Sequence, residues 1–315
     1  MLIAGPNLTI DRTLAIEELR PGEVLRFDDV AVTPGGKGVN VARVARALRA
    51  PALLVGFTPG RTGADAAELL ADEGLRFEPV PTGGELRSTA VILERGGRVT
   101  VMNEPGPAIR PEEWERYQAA VAARLEGNGV LVCSGSVPPG TPPDAYGRLA
   151  ELAADAGVAA IVDTSGAVLG ASLDSRPAVA CPNLAEAEGL LHGRTDETVE
   201  NGDPGEVRAR ATDAAVELVR RGARAAVVTA GAAGAAVAEG STVGWHQAHA
   251  VALRNPIGAG DALVGGLAAA LERGEPFARA VRAGLATAAA SVETATAGEI
   301  EATRAAELEA SGGAR

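Results

Sequence analysis

The chain has 315 residues, enough for one large α/β domain with an attachment or for two domains. It is 46% hydrophobic, so a sizeable core is within reach, and its net charge of −12 argues against nucleic acid or an anionic membrane as the main partner. It lacks any apolar run of about 18 residues, and no basic segment followed by an apolar one opens it, so a soluble cytoplasmic protein is expected. Residues 1–6 read as a short buried strand. Asn7-Leu8-Thr9-Ile10-Asp11 then alternates polar and apolar residues, with Asp11 at its end. Residues 12–32 hold two strand-like runs separated by Pro21-Gly22, interleaved with charge as in a sheet with one covered face.

Pro34-Gly35-Gly36-Lys37-Gly38-Val39-Asn40 opens a helix. Val41, Val44, Ala45 and Leu48 form its apolar stripe, and Arg43, Arg46 and Arg49 read as its solvated face. Strands are expected at 52–57 and 75–80 around a helix at 64–72. A hairpin at 88–93 and 98–102 turns at Gly96-Gly97, with Arg87 just before it, and should join the runs at 12–32 in one small sheet. After Pro111, helices near 112–125, 144–155, after 186 and at 206–221 alternate with apolar strands at 130–133, 158–162, 178–181 and 225–229. Such strands make a parallel sheet covered on both faces, and ligands bind at its C-terminal strand ends. The polar residues there are residues 134–136, Asp163, Asn183, Glu186 and Thr229. Residues 192–205 read as a surface loop and 231–240 as a turn and hairpin. A glycine turn enters an alanine-rich helix over 256–273, a second such helix lies near 277–292, and a polar tail ends in a loose Ser-Gly-Gly-Ala-Arg. Neither repeat nor linker divides the chain.

Cys133 and Cys181 form neither a zinc spacing nor a disulfide framework. His246 and His249 would face opposite sides of a strand with no third ligand nearby, so no metal is expected there. Of the 29 Lys+Arg residues 28 are Arg; Lys37 is the one lysine, and it lies among glycines. A compact ammonium is not equivalent to a guanidinium fork, so the site is expected to need it, unless its survival is an accident of composition.

Two stretches carry chemistry. Pro256-Ile257-Gly258-Ala259-Gly260-Asp261 is a glycine turn entering a helix, where backbone N–H groups and the dipole converge on an anion. Asp261 at its rim reads either as a helix cap or as a general base beside a transferring phosphoryl group. Lys37 and Asn40 occupy the first turn of the other glycine-started helix and can point towards a ligand. The Walker A pattern fails because Gly38 follows Lys37, the dinucleotide fingerprint fails at Leu263, and residues 134–138 hold no nucleophile elbow. Two separated anion sites, one with a cation and one with a carboxylate, suit phosphoryl transfer. Asn183-x-x-Glu186 offers oxygens for a water-bound Mg²⁺, or simply caps a helix.

PGGKGVN at 34–40, SGSVPPG at 134–140, DTSG at 163–166, PNLAE at 182–186, TAGAAG at 229–234 and NPIGAGD at 255–261 stand in one order along nearly the whole chain. In these motifs the chain resembles the PfkB, or ribokinase-like, carbohydrate kinases, and most of all their hexose-phosphate branch of 1-phosphofructokinase, tagatose-6-phosphate kinase and the minor 6-phosphofructokinase. The resemblance implies a doubly wound, mostly parallel α/β sheet flanked by helices. It implies a single kinase domain over 1–315 with a small β-sheet lid from about 12–32 and 86–103, the lid often making a homodimer. It implies Asp261 as base, with Gly258, Ala259 and Gly260 as the anion hole. Asp11, Gly36, Lys37, Asn40, Arg87 and Ser136 would bind the acceptor; Thr229, Gly231, Gly234 and Asn183 the nucleotide; and Glu186 Mg²⁺ through water. ATP and Mg²⁺ are the implied cofactors, with K⁺ a candidate. At one position the chain departs from the branch: Cys181 stands where relatives often carry lysine.

The leading expectation is an ATP-dependent kinase of a ketohexose phosphate, since Lys37 and Arg87 are more cations than a neutral sugar needs. Fructose 1-phosphate comes first, then tagatose 6-phosphate and fructose 6-phosphate. A kinase of a neutral sugar or nucleoside, and a non-catalytic nucleotide or sugar-phosphate sensor suggested by Cys181, stand beside it.

Overall fold

The computed structural model describes residues 1–27, 30–194, 196 and 198–312. Residues 28 and 29 of the expected small sheet, 195 and 197 of the expected surface loop, and 313–315 of the tail lie outside the described residues.

The chain opens with β1 (Leu2–Ala4), β2 (Thr9–Ile16), β3 (Val30–Gly35), α1 (Lys37–Ala47), β4 (Leu53–Pro59), α2 (Gly60–Asp72), β5 (Phe77–Thr82), β6 (Ser88–Glu94) and β7 (Val99–Asn103). It continues through α3 (Pro111–Ala122), β8 (Val130–Ser134), α4 (Ala145–Asp155), β9 (Ala159–Asp163), α5 (Gly166–Leu173), β10 (Val179–Ala180) and α6 (Leu184–His192). Then come α7 (Pro204–Arg220), β11 (Ala225–Thr229), β12 (Gly234–Glu239), β13 (Thr242–Gln247), α8 (Ala259–Glu272), α9 (Phe277–Ser291) and α10 (Ala302–Gly312).

Nine strands form one sheet in the order β13-β12-β11-β10-β9-β8-β1-β4-β5. All its pairings are parallel except those that β12 makes with β11 and β13. Its strands are apolar on both faces, and alternate residues enter different cores. Leu131 and Cys133 of β8 join the helices on one side, while Val130 and Val132 join those on the other. Cys133 and Cys181 sit in opposite cores as free buried thiols.

The second sheet has the order β3-β2-β6-β7, with β2 and β6 parallel. It joins the two strand pairs expected from the sequence and forms a lid. The fold is thus α/β, a mostly parallel sheet between helices with a β-sheet lid, as the resemblance implies. Pairing puts Thr33, Asp11, Thr89 and Asn103 in one row across the lid. The lid leaves large apolar side chains exposed: Val32 and Met102 on its strands, Val24 and Phe27 on its connecting segment.

Three sequence expectations need correction. α5 was not anticipated: Gly-Ala-Val-Leu-Gly-Ala-Ser-Leu is apolar around its whole circumference, so no amphipathic period announces it. The hairpin expected within 231–240 supplies only its first strand there, and β13 completes it. Arg43 is not solvated but 5% exposed, because it sits three residues after Asn40 on the inward face of α1.

Candidate active site

The C-terminal strand ends open on a cleft of about 1470 Å³ that the lid overhangs. α1 starts in it. Gly36, with φ 106° and ψ 152°, holds a conformation essentially reserved for glycine, and turns β3 into the helix with no side-chain cap. Lys37 is the first helical residue. Its Nζ lies 3.0 Å from Asp163 Oδ1 at the end of β9 and 3.0 Å from Glu186 Oε1 in the first turn of α6. Burial would lower the lysine pKa, but Asp163, Glu186 and Asp261 together outweigh it and raise the net value, so the ammonium stays charged. Asp163 also accepts from Ser134 Oγ at 3.2 Å.

α8 starts on the facing wall. Gly258 is its N-cap with φ 82°, again with no side-chain cap. Ala262 N–H donates to Gly258 O at 2.8 Å, while the N–H groups of Gly260 and Asp261 find no partner among the described residues. They are the free donors of a helix N-terminus, an anion site. Asp261 is 5% exposed and does not cap its own helix. Its Oδ2 accepts from Asn40 Nδ2 at 2.7 Å, across from α1. Burial pushes its carboxyl up to about 7, with Asp163 and Glu186 adding to the rise and Lys37 and the Asn40 hydrogen bond opposing it.

Asp11 enters from the lid. Its Oδ1 is buried with no partner in the protein among the described residues, and its carboxyl is raised by burial against the pull of Arg43 and Arg87. The missing side chain of Gly35 leaves room for that carboxylate. Arg87 lines the cleft but is tied down. Its Nε donates to Leu8 O at 3.2 Å, Nη1 to Glu104 O at 3.2 Å and Nη2 to Asn7 O at 3.1 Å, leaving two of its five N–H groups. Asn7 Nδ2 reaches Ser136 Oγ at 3.0 Å, bridging the β1 and β8 strand ends.

Asn183 and Glu186 form a reciprocal capping box at the start of α6. Glu186 N–H donates to Asn183 Oδ1 at 2.7 Å, and Asn183 N–H donates to Glu186 Oε2 at 2.9 Å. One Glu186 oxygen thus caps the helix while the other meets Lys37. Thr229 bridges to Asn183, and Thr229, Gly231 and Gly234 line the far end of the cleft. Apolar Leu253, Ala288, Ala289 and Val292 complete that end.

All sequence-expected site residues therefore line one cleft or, for the buried carboxylates, face it. Asp163 was expected only as one polar candidate among the strand ends, and the structure makes it, with Glu186, a partner of Lys37. Arg43 and Asn7 were missed; spacing from Asn40 could have found the first. Cys181 lies beside this cluster, its thiol pushed well up by burial and by Asp163. Three carboxylates, Asp163, Glu186 and Asp261, face a single ammonium, a surplus of negative charge where phosphates would have to sit. Among the described residues no group of three His, Cys, Asp or Glu is placed to hold a metal directly.

A lidded α/β sheet whose strand ends carry a carboxylate in a glycine turn is an arrangement suited to phosphoryl transfer to an alcohol. The chain belongs to the pfkB family of carbohydrate kinases, whose model matches residues 7–304. It is 34% identical over 296 residues to the 1-phosphofructokinase of Haloferax volcanii, covering 94% of this chain and 92% of that one. Among solved structures it is similar to phosphofructokinase-2 from Escherichia coli in complex with potassium, with TM-score 0.88, 26% identity and 99% of each chain covered. The same enzyme in complex with fructose-6-phosphate matches at TM-score 0.85 and 27% identity, over 99% of this chain and 98% of that one. The family resemblance read from the motifs is borne out.

Proposed function

We propose that this protein transfers the γ-phosphoryl group of ATP to a hydroxyl of a ketohexose phosphate, with fructose 1-phosphate as the acceptor ahead of tagatose 6-phosphate and fructose 6-phosphate. One observation carries the reading. Asp261, raised towards neutrality by burial, stands beside the unpaired N–H groups that begin α8. A carboxylate so placed takes the acceptor proton while the amides around Gly258, Ala259 and Gly260 hold the charge of the transferring group. The name of the Haloferax relative supports the choice of fructose 1-phosphate.

The other roles follow from position. Asp11, with its unpaired oxygen, and Asn40 orient acceptor hydroxyls, and Gly36 lets the backbone approach them. Lys37 turns between its carboxylate partners and the phosphates. Arg87, with two N–H groups left, and Ser136 hold the phosphate already on the acceptor. Thr229, Gly231, Gly234 and Asn183 line the nucleotide end. The carboxylate surplus fits Mg²⁺ arriving with ATP: Glu186 would hold it through water, and the ion would neutralise phosphate charge. Residues 1–315 then act as one kinase domain, with the lid at about 12–32 and 86–103 closing over the acceptor. The exposed Val24, Phe27, Val32 and Met102 support a homodimer through the lid, and a cytoplasmic location is in keeping with ATP and a sugar phosphate as substrates. Among the described residues no helix is long and apolar enough to cross a membrane.

The test is ADP release with ATP and Mg²⁺ over fructose 1-phosphate, fructose 6-phosphate, tagatose 6-phosphate, fructose, ribose and adenosine. Strong preference for one phosphorylated ketohexose is the expected result. Preference for a neutral acceptor would overturn the roles of Lys37 and Arg87 and leave the kinase chemistry standing. ATP binding without turnover on any acceptor would favour a sensor. Repeating the assay with and without K⁺ tests the ion that one structure of the E. coli relative contains.

A further inference from the structure

Arg43 spends every donor it has. Its Nε and Nη2 grip the two oxygens of Glu73 at 2.7 and 2.6 Å. Nη2 also donates to Pro34 O at 2.7 Å, and Nη1 donates to Asn40 Oδ1 at 3.2 Å and to Ala297 O at 3.5 Å. The guanidinium is buried, so these bonds act in a poorly screened setting. Glu73 is itself fixed at the C-terminal end of α2, where Arg46 holds its carbonyl.

A carboxamide has two orientations related by a half-turn, and nothing intrinsic to asparagine chooses between them. In one, Asn40 Nδ2 donates to Asp261 Oδ2, as observed. In the other, Oδ1 faces the carboxylate and repels it. Arg43 can only donate, so its bond to Oδ1 selects the first. Gly298 packs over the same asparagine, and an added Cβ on it would come within 2.8 Å of Asn40 Cα. The asparagine is thus held from three sides.

We propose that Arg43, locked by Glu73, is a positioning residue for phosphoryl transfer: it sets the orientation of the Asn40 carboxamide, which keeps one Asp261 oxygen bonded and the other open to the acceptor proton. This rests on the reading of Asp261 as the base. Arg43 does not reach the reacting atoms; it acts through Asn40. Its charge also faces Asp11, so a test must separate charge from geometry.

Arg43→Lys does so, because it keeps the cation and removes the fork. Expected are a fall in kcat of about tenfold to a hundredfold, the size of a small misplacement at a reacting centre, and KM values for ATP and acceptor close to wild type. Loss of the Asn40 donor raises the Asp261 pKa, so the acidic limb of the kcat profile moves to higher pH by about half a unit to one unit, the equivalent of one hydrogen bond. Glu73→Gln loosens the guanidinium and is expected to move the limb in the same direction by less. A purely structural role would lower the melting temperature and leave the limb of the surviving enzyme where it was. Folded Arg43→Lys or Glu73→Gln enzyme with wild-type kcat and limb overturns the proposal, and if one variant does not fold the other decides. Asp261→Asn runs alongside. If it is inactive while Arg43→Lys is normal, only the role of Arg43 falls; if it turns over, the base reading and this proposal fall together.

Discussion

Two helices begin in the cleft on glycines, and the chain uses them in opposite ways. α1 starts at Gly36 and carries a cation, Lys37, on its first residue; α8 starts at Gly258 and carries an anion, Asp261, on its third. A helix N-terminus favours negative charge, so Lys37 sits where the dipole opposes it and Asp261 where the dipole helps it. Each side chain nevertheless looks away from its own helix. Lys37 finds Asp163 at the end of β9 and Glu186 in the first turn of α6, and Asp261 finds Asn40 on the facing helix. Neither residue is a cap. Among the described residues both N-termini keep amides without a partner, and the side chains placed beside them are bonded across the cleft.

The sharpest way to break this pairing is at the anion. Asp261→Asn keeps the shape and removes the proposed base, and kcat is expected to fall by about 10²–10⁴-fold with little change in the KM for ATP. Steady-state kinetics decides, and a kcat within a few-fold of wild type would remove Asp261 from the chemistry. Breaking it at the cation is expected to do less. Lys37→Met leaves three carboxylates uncompensated and should lower kcat by about 10²-fold. Lys37→Arg should raise the acceptor KM much more than the ATP KM, and an unchanged acceptor KM would make the lone lysine an accident of composition.

The two glycines differ as well. Gly36 occupies a region that no other residue enters readily, whereas Gly258 lies near the left-handed helical region that a few side chains tolerate. Gly36→Ala is expected to cost about 2–3 kcal/mol and Gly258→Ala about 1–2 kcal/mol in denaturant unfolding. Equal costs would mean that the two turns are equivalent.

The smallest expected effect is on pH dependence. With its carboxyl raised to about 7 from 3.8, Asp261 in the proposed role of base would have to lose a proton first, so kcat/KM is expected to fall as pH drops through about 7. The same shift works on stability with the opposite sign. A raised folded-state pKa contributes stability that is fully present below pH 3.8 and lost as pH rises through about 7. Asp261→Asn should therefore be more stable than wild type at pH 8, and the gain should shrink towards pH 5. Thermal melts at the two pH values measure it.

Much of this protein is legible without coordinates. Strand and helix alternate after Pro111 because buried parallel strands are continuous apolar runs and their helices are amphipathic, and both patterns are local. The glycine turns are legible for the same reason: positive φ belongs to glycine, and a helix that follows makes an anion site whatever else surrounds it. The order of the motifs, with a lone lysine in one and Asp261 in another, was enough to indicate a kinase. What the sequence could not state is which charges meet. Lys37 and Asp163 are 126 residues apart, and Asn40 and Asp261 are 221 apart. Arg43 reads as one more arginine on an arginine-rich face until the fold puts Glu73 and Asn40 against it. α5, apolar all around, is a helix only because neighbours cover it. Local propensity and spacing determined the elements and the turns; tertiary packing alone decided the desolvation that raises Asp261 and the pairings that hold Lys37 and Asn40, because burial and long-range contact exist only once the chain has folded.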